Sequence, residues 1–310
     1  MAETSEIDLQ AVLDSVLERV LKHMGPGKVA TYIPALARVP SDKLAIAVSC
    51  VDGREAFAGD ADEPFSIQSV SKLFTPLMAM KLRDRALWKR VWREPSGNPF
   101  NSLVQLEYEK GVPRNPFINA GAHVTTDCVV TDHADPKPAI LDQARALSGN
   151  DSIQFDLEVA ASERDHGHWN AAIANFLKAN GNLESPVDDV LDAYFHQCSI
   201  AMSCRDLARA GLFLSNRGVD VRTGTRIATE RKTRRINALM ATCGLYDAVG
   251  SFAFHVGIPA KSGVGGGIIG VVPGEMTVAV WSPALDANGN SYAGFKMLET
   301  FTNTIGHSIY

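Results

Sequence analysis

The segment FSIQSVSKLF, residues 65–74, contains the two residues on which the interpretation of this chain depends, Ser69 and Lys72. If a helix begins at this serine, positions i and i+3 lie on one face with adjacent side chains. A serine is a weak nucleophile until a base takes its proton, and a lysine can be that base only where burial lowers its pKa. The segment therefore predicts a serine nucleophile activated by Lys72. Pro76 removes one amide hydrogen bond from this helix, and a kink there is an alternative.

A second motif, Lys261-Ser262-Gly263, precedes a glycine-rich run and a short apolar strand. The spacing S-x-x-K alone also arises by chance, but in penicillin-recognising serine enzymes it starts a helix while a K-[ST]-G strand forms the opposite wall of the cleft. The two motifs together predict acyl-enzyme chemistry. The run 265–270 also matches G-x-G-x-x-G, but a strand follows it where a dinucleotide site needs a helix. These glycines instead favour an oxyanion-hole amide near Val264.

The segments around these motifs alternate between helical and strand patterns. Apolar residues at three- and four-residue spacing predict a helix over 6–24, and Lys43–Val51 with Glu55–Gly59 predicts a β-hairpin. Helical spacing dominates from Ser69 to about Asn216. Two strands, at 268–272 and 276–281, and a final helix near 294–305 complete the chain.

This order predicts an α+β fold in which an antiparallel sheet lobe, flanked by helices, carries an inserted all-helical lobe. We expect one domain over residues 1–310. The sheet lobe takes approximately residues 1–75 and 231–310, and the helical lobe approximately 76–230. A cleft between the two is the expected site.

Composition restricts the possible partners. The chain has 310 residues, with 30 basic and 35 acidic side chains and a net charge of −5, which repels nucleic acid and anionic membranes. The N-terminal sequence MAETSEIDLQ lacks the features of a secretory signal, and no apolar run approaches the roughly 20 residues of a membrane span. Five scattered cysteines without C-x-x-C spacing fit a reducing compartment, so we expect a soluble cytoplasmic protein.

Two further features have less specific interpretations. His166-Gly167-His168 could hold a metal, but no second cluster has ligand spacing, and we interpret these histidines as surface or packing residues. The basic stretch from Arg217 to Arg235 is interpreted as a solvated face, with an anion site as the alternative.

Five separated blocks of sequence resemble the serine-dependent glutaminases, in that family's order and across nearly the whole chain. They are FSIQSVSK, NPFINAGA (115–122), VLDAYFHQCSI (190–200), CGLYDAVGSFA (243–253) and GIPAKSGVGGGI (257–268). The resemblance implies a β-lactamase/DD-peptidase-like fold and hydrolysis of L-glutamine to L-glutamate and ammonia. It implies no metal or organic cofactor, and a homodimer or homotetramer.

The resemblance also implies roles for individual residues. Ser69 is the nucleophile, with Lys72 as base, Lys261 in the opposite wall, and Tyr32 and Tyr246 as tyrosines that relay a proton or orient Lys72. The backbone N–H groups of Ser69 and Val264 form the oxyanion hole. Substrate contacts map to Ser69, Asn119, Glu163, Asn170, Tyr194, Tyr246 and Val264.

Glu163 is the only carboxylate in that set, so we assign it to the α-ammonium group of glutamine, while Asn and Tyr donors suit the α-carboxylate. Without the resemblance, Tyr194 and Tyr246 would be interpreted as core aromatics, and Asn119 and Asn170 as turn or helix-face residues.

One position departs from the family pattern, because Trp169 stands where the family commonly has arginine before Asn170. Two other functions are alternatives. A β-lactamase or peptidoglycan peptidase would share both motifs but would need export, and a non-catalytic amino-acid binding protein would not need the nucleophile.

Overall fold

The computed structural model describes residues 7–97 and 102–310. The helices in these residues are α1 Leu9–Leu21, α2 Phe74–Arg83, α3 Leu87–Arg90, α4 Leu103–Tyr108, α5 Asn119–Asp132, α6 Pro136–Ser148, α7 Leu157–His166, α8 His168–Ala179, α9 Val187–Cys198, α10 Cys204–Ser215, α11 Glu230–Cys243, α12 Val249–His255 and α13 Tyr292–Ile305. The strands are β1 Ala45–Cys50, β2 Glu55–Gly59, β3 Phe65–Ser66, β4 Gln154–Phe155, β5 Ile200–Met202, β6 Ala260–Ser262, β7 Gly267–Val272 and β8 Met276–Trp281. Short 3-10 helices span Leu36–Arg38, Gln68–Leu73 and Tyr246–Ala248.

The main sheet has five antiparallel strands in the order β2-β1-β8-β7-β6. Strand β1 pairs directly with β8, and Ala45 lies opposite Trp281, so the two ends of the chain share one sheet. The predicted hairpin and both predicted C-terminal strands are present. The α+β fold class is confirmed.

Both faces of the sheet are covered, because successive side chains of a strand point to opposite faces. Ile46 and Val48 of β1 lie in a core with α1, α12 and α13, whereas Ala45 and Ala47 lie in a second core with α2 to α6 and α8 to α11. The predicted first helix is present, although it is shorter than 6–24, and residue 6 lies outside the described residues. Its N-terminus is capped by the Asp8 side chain, which accepts a hydrogen bond from the Ala11 N–H.

A small second sheet, with strand order β3-β5-β4, was not predicted. Its strands have two or three residues, too few to show alternation in the sequence. It positions the nucleophile segment, since β3 ends at Ser66, two residues before the 3-10 helix begins.

The helix predicted to begin at Ser69 is present, but it is not an α-helix at that point. Residues Gln68–Leu73 form a 3-10 helix, and the α-helix α2 begins only at Phe74. In a 3-10 helix, positions i and i+3 are eclipsed, so Ser69 and Lys72 still lie on one side. Pro76 falls in the first turn of α2, where an N–H has no partner within the helix. An N–H at position 76 would make no hydrogen bond to Lys72 within α2, so the proline removes no helical hydrogen bond.

None of the helices in the described part of the chain combines the length and apolar composition that a bilayer crossing requires.

Candidate active site

Ser69 lies in the first turn of the 3-10 helix, with 8% of its surface exposed. The preceding residue, Gln68, has a φ of +50°, in the left-handed region that a side chain rarely adopts. Its conformation is held by two contacts, since the Ser71 hydroxyl donates to the Gln68 carbonyl at 2.6 Å and the Gln68 amide donates to Ser66 Oγ at 3.0 Å. Strained backbone of this kind clusters at functional sites.

Lys72 is fully buried, and its Nζ donates to the carbonyl of Phe117 at 3.2 Å and to Oδ1 of Asn119 at 2.7 Å. Burial lowers the pKa of this lysine to about 8, although Cys198 and Glu163 favour its charged form. A substantial neutral fraction near pH 8 makes Lys72 chemically able to accept a proton.

Lys261 lies on β6 and is also buried, with its Nζ donating to the carbonyl of Gly244 at 3.1 Å and to that of Ser262. Burial, with the charge of Lys72 as a second cause, lowers the pKa of Lys261 well below its usual range. The Lys261 ammonium lies 5.0 Å from the centre of the Tyr246 ring.

The hydroxyl of Tyr246 adjoins those of Ser69 and Ser262, which are its hydrogen-bonding neighbours. Burial raises the pKa of Tyr246 to about 12, and these hydrogen bonds only partly offset that effect. Tyr246 therefore keeps its proton at neutral pH and can donate it. The residue has a φ of +51°, so its backbone is strained as well.

Gly263 permits close contact between the two walls. A Cβ at this position would lie 2.6 Å from the carbonyl oxygen of Ile67 and 3.1 Å from the amide nitrogen of Ser69. The next residue, Val264, has an N–H that makes no hydrogen bond within the described residues. The last residue of the K-S-G motif therefore lies directly beside the Ser69 amide, a close approach of the two walls that an oxyanion hole requires.

A cavity of about 310 Å³ opens at Ser69. Its lining residues are Tyr32, Ile33, Gln68, Ser69, Asn119, Glu163, His166, Gly167, Trp169, Asn170, Tyr194, Cys198, Tyr246 and Val264. All predicted substrate contacts are among them, and so is Tyr32. Lys72 and Lys261 are not lining residues and lie buried behind the wall.

Asn119, the first residue of α5, is the centre of a polar network. Its Nδ2 donates to Oδ1 of Asn170 at 3.0 Å, and its Oδ1 accepts from Lys72 and from the Tyr194 hydroxyl at 3.3 Å. The preceding turn is fixed by Asn115, whose Oδ1 accepts from two backbone N–H groups. One network therefore joins the predicted base to three predicted substrate contacts.

Glu163 lies on α7 with 5% of its surface exposed. Burial raises the pKa of this carboxyl to about 7, while a hydrogen bond with Gln68 and the charge of Lys72 act in the opposite direction. Gly167, between α7 and α8, allows the tight turn that brings Glu163 and Asn170 to one cavity. A Cβ there would lie 2.6 Å from the Phe195 ring.

Six cavity residues were not predicted as site residues: Ile33, Gln68, His166, Gly167, Trp169 and Cys198. The role of Gln68 depends on its backbone conformation, which no sequence pattern reveals. Cys198 follows Tyr194 by one helical turn on α9, and that spacing was the available signal. His166, interpreted as a surface or packing histidine, lies in the wall. Trp169 and Tyr32 are 61% and 57% exposed, so both line the outer part of the cavity.

Replacing Gly263 with alanine is expected to lower kcat/KM by about 10²-fold, the cost of losing one oxyanion-hole donor. The added Cβ meets backbone atoms on the nucleophile wall, so the two walls must separate. Steady-state release of ammonia from glutamine, the reaction that the sequence resemblance implies, measures the effect. Gly250→Ala is the matched control, because nothing lies within 4 Å of a Cβ there. Equal rates for the two variants would contradict the close approach.

The comparisons with known proteins agree with this geometry. The glutaminase family model matches residues 27–310. The glutaminase of Aeromonas hydrophila is 54% identical over 300 residues, covering 96% of this chain and 98% of that protein. A solved structure named probable glutaminase ybaS shares 35% identity and a TM-score of 0.92, covering 97% of this chain and 98% of that one. A Bacillus subtilis probable glutaminase has 30% identity and a TM-score of 0.89, with 98% of each chain covered.

The resemblance in the five sequence blocks is thereby confirmed, and with it the β-lactamase-like fold. The chain belongs to the glutaminase family and is an amide hydrolase that acts on L-glutamine.

Proposed function

We propose that this glutaminase works through a covalent glutamyl ester on Ser69. The Ser69 oxygen attacks the side-chain carboxamide carbon of glutamine, the C–N bond breaks, and ammonia leaves with one added proton. Water then cleaves the ester to give glutamate and restore the serine. The observation that carries this proposal is the position of Ser69 in the cavity wall, with a buried lysine three residues later and the Gly263 backbone beside its amide.

Lys72 is the proposed base toward Ser69, and Tyr246 is the proposed relay. Lys72 already donates to Phe117 and Asn119, whereas the Tyr246 hydroxyl adjoins that of Ser69. A proton can therefore pass from Ser69 to the lysine directly or through the tyrosine. Lys261 lies against the Tyr246 ring and is proposed to hold this tyrosine in the wall opposite Lys72. Tyr32, which lines the same cavity, is proposed as the second tyrosine that relays a proton or orients Lys72.

The backbone N–H groups of Ser69 and Val264 are the proposed oxyanion hole. Preorganised amides of this kind stabilise the charge that develops on the carbonyl oxygen, and they need not reorient during the reaction. Support comes from the unpaired Val264 N–H among the described residues and from the contact of Gly263 with the nucleophile segment.

The charged ends of glutamine are proposed to bind at the polar walls. Glu163 takes the α-ammonium group, and Asn119, Asn170 and Tyr194 take the α-carboxylate through amide and hydroxyl donors. A cavity of about 310 Å³ is at the lower end of the range for small-molecule sites. It therefore suits one amino acid.

The test is an ammonia-release assay on glutamine beside asparagine, with acid-quenched intact mass spectrometry during turnover. A mass gain of one glutamyl group that maps to Ser69 supports the acyl-enzyme. Glutamine turnover without any labelled serine under single-turnover conditions would contradict it. Calorimetric binding of glutamine without ammonia release would indicate a binding protein instead.

Glu163→Gln is expected to raise KM by about 10²-fold with a much smaller change in kcat, because a charge-assisted hydrogen bond to the substrate is lost. The pKa of Glu163 is raised to about 7, so the free enzyme loses the carboxylate as pH falls through 7. Neutral Lys72, with a pKa of about 8, is also required, so kcat/KM of the parent enzyme should fall with a slope of one below pH 8 and more steeply below pH 7. The variant should keep the first fall and lose the additional one. Steady-state kinetics between pH 5.5 and 9 measure both effects.

The matched control for this prediction is Glu158→Gln. Glu158 lies on the same helix, but its side chain is 63% exposed and pairs with Arg38 away from the cavity. Its KM should stay within about twofold of the parent value, as for other surface pairs. A similar rise in KM for both variants would rule out the assignment of the α-ammonium group to Glu163.

The proposed function also includes the domain organisation, the oligomeric state and the cellular location. We propose one glutaminase domain over residues 1–310, with the sheet and helical lobes as predicted, supported by a core that joins β1 and β8 to the helical region. We also propose a homodimer or homotetramer, which light scattering measures. Five free, buried cysteines support a reducing, cytoplasmic location.

A further inference from the structure

A second cavity, of about 610 Å³, shares no lining residue with the cavity at Ser69. Four arginines and one tryptophan dominate its wall: Arg85, Arg93, Arg231, Arg235 and Trp88. They come from two distant parts of the chain, the segment around α3 and the helix α11. Folding therefore brings four positive charges together on a protein whose net charge is −5.

Helix α11 contributes one face to this cavity. Arg231, Arg235, Ala238, Leu239 and Thr242 follow at the three- and four-residue spacing of a single helical stripe. Like charges at i and i+4 destabilise a helix, and positive side chains near its N-terminus oppose the macrodipole. A cation pair in this position therefore lowers helix stability unless an anion lies nearby.

The opposite wall combines charge with an aromatic surface. The Trp88 ring packs against the hydrophobic core and borders the cavity, so its position is fixed. The guanidinium of Arg93 lies 5.7 Å from the centre of that ring. An aromatic side chain beside an arginine can take a planar ring by stacking.

The four cavity arginines make no ion pair with any carboxylate among the described residues, unlike the arginines on either side of Arg85 in the sequence. Arg83 pairs with Asp132 and Glu184, and Arg90 pairs with Asp127 and Glu184. The fold thus supplies carboxylates for the neighbouring arginines and leaves this cavity positive.

We propose that this cavity binds a nucleotide, with the phosphates on the arginines and the base on Trp88. Guanidinium groups bind phosphate oxygens in pairs and hold their charge at every physiological pH. Four of them match the charge of a triphosphate, and the volume lies within the range of small-molecule sites. The net charge of −5 opposes a long nucleic acid, so a single nucleotide fits better.

Isothermal titration calorimetry on the full chain tests the proposal, with ATP, tripolyphosphate and adenosine as separate titrants at low salt. We expect saturable ATP binding, weaker tripolyphosphate binding and weaker adenosine binding. The double variant Arg231→Gln, Arg235→Gln should weaken ATP binding about tenfold or more, because two charge-assisted contacts are lost. Trp88→Leu should weaken ATP binding several-fold, about the cost of one lost base stack, and leave tripolyphosphate binding unchanged.

The control is Arg234→Gln, because Arg234 is adjacent to Arg235 in sequence but lines a different cavity. This variant also removes one positive charge. Because the Arg234 side chain is exposed and lies outside the proposed site, ATP affinity should change by less than about twofold. Absence of ATP binding, or equal weakening by Arg234→Gln and by the double variant, would overturn the site. Tripolyphosphate binding as tight as ATP binding would overturn the nucleotide assignment. The titrations do not depend on turnover, so they are independent of the proposed acyl-enzyme.

Discussion

Ser69→Ala is expected to lower kcat for glutamine by about 10⁴-fold or more, the scale seen when a serine nucleophile is removed. The variant keeps the cavity, the polar network of Asn119 and the carboxyl of Glu163, so glutamine should still bind. Its fold should also persist. The change removes one hydroxyl neighbour of Tyr246, which costs about 1 kcal/mol in free energy of unfolding. Ammonia release and calorimetric titration with glutamine, on the same preparation, measure the two effects separately.

Ser71→Ala is the matched control for this experiment. Ser71 lies in the same 3-10 helix and is fully buried, but its hydroxyl donates to the Gln68 carbonyl. Removing it should lower the free energy of unfolding by about 1 to 2 kcal/mol while changing kcat by less than about tenfold. Turnover by Ser69→Ala above roughly 1% of the parent rate would exclude Ser69 as the nucleophile.

Glutaminases and penicillin-recognising enzymes share a serine nucleophile, so another feature of the site must distinguish their substrates. Both use S-x-x-K and K-[ST]-G, and their difference lies in the substrate walls. Here Glu163 is buried and Asn119 bridges Lys72 to Asn170, which suits an amino acid with two charged ends. We expect no mass gain at Ser69 after incubation with penicillin. A stable penicilloyl adduct would show that the walls do not exclude that substrate.

Much of the fold was predictable because its decisive segments have strong periodicity. The first helix, the hairpin β1–β2 and the strands β7 and β8 each showed the spacing of their element. Strands at both ends of the chain predicted one shared sheet lobe, but the direct pairing of β1 with β8 was not predicted. The small sheet β3-β5-β4 was missed, because strands of two or three residues depend on tertiary contacts such as the pairing of Phe65 with Met202.

The site residues also differ in how far the sequence alone could predict them. Ser69, Lys72 and Lys261 could be found from motif spacing, since their chemistry requires a nucleophile, a base and an opposite wall. Glu163 and Asn170 could be found only through the family resemblance, because a buried carboxylate and a helix-face amide have no distinctive local pattern. Gln68 could not be found, since its left-handed backbone is imposed by the contacts of the folded chain.

Lys72→Met is the second large effect that we expect, a fall in kcat of about 10³-fold or more, within the range of general-base catalysis. In the parent enzyme, burial lowers the pKa of Lys72 to about 8, and the base must be neutral to accept a proton. The rate should therefore rise with pH up to about 8 and then level off, and the variant should lose this rise. Tyr246, with a pKa of about 12, keeps its proton throughout this range. Initial rates at saturating glutamine between pH 6 and 10 measure the profile.

The fold of Lys72→Met should survive because two changes in stability oppose each other. A buried lysine whose pKa is lowered from 10.5 to about 8 costs folding about 3 kcal/mol at pH 7, and methionine removes that cost. Methionine also leaves the Phe117 carbonyl and Asn119 Oδ1 without their donor, which costs about 1 to 3 kcal/mol for each buried group. We expect a melting temperature within several degrees of the parent value.

Lys72→Arg distinguishes a base from a fixed positive charge. Arginine keeps the charge beside Ser69 but cannot lose its proton at any pH in the assay, so we expect it to be as inactive as methionine. Lys81→Met, at an exposed position near the end of α2, controls for the loss of a lysine from the same helix and should leave kcat unchanged. Activity of Lys72→Arg near the parent level would mean that Lys72 acts only through its charge. The proton of Ser69 would then have to leave through Tyr246 to another acceptor, and the base would have to be sought beyond Lys72.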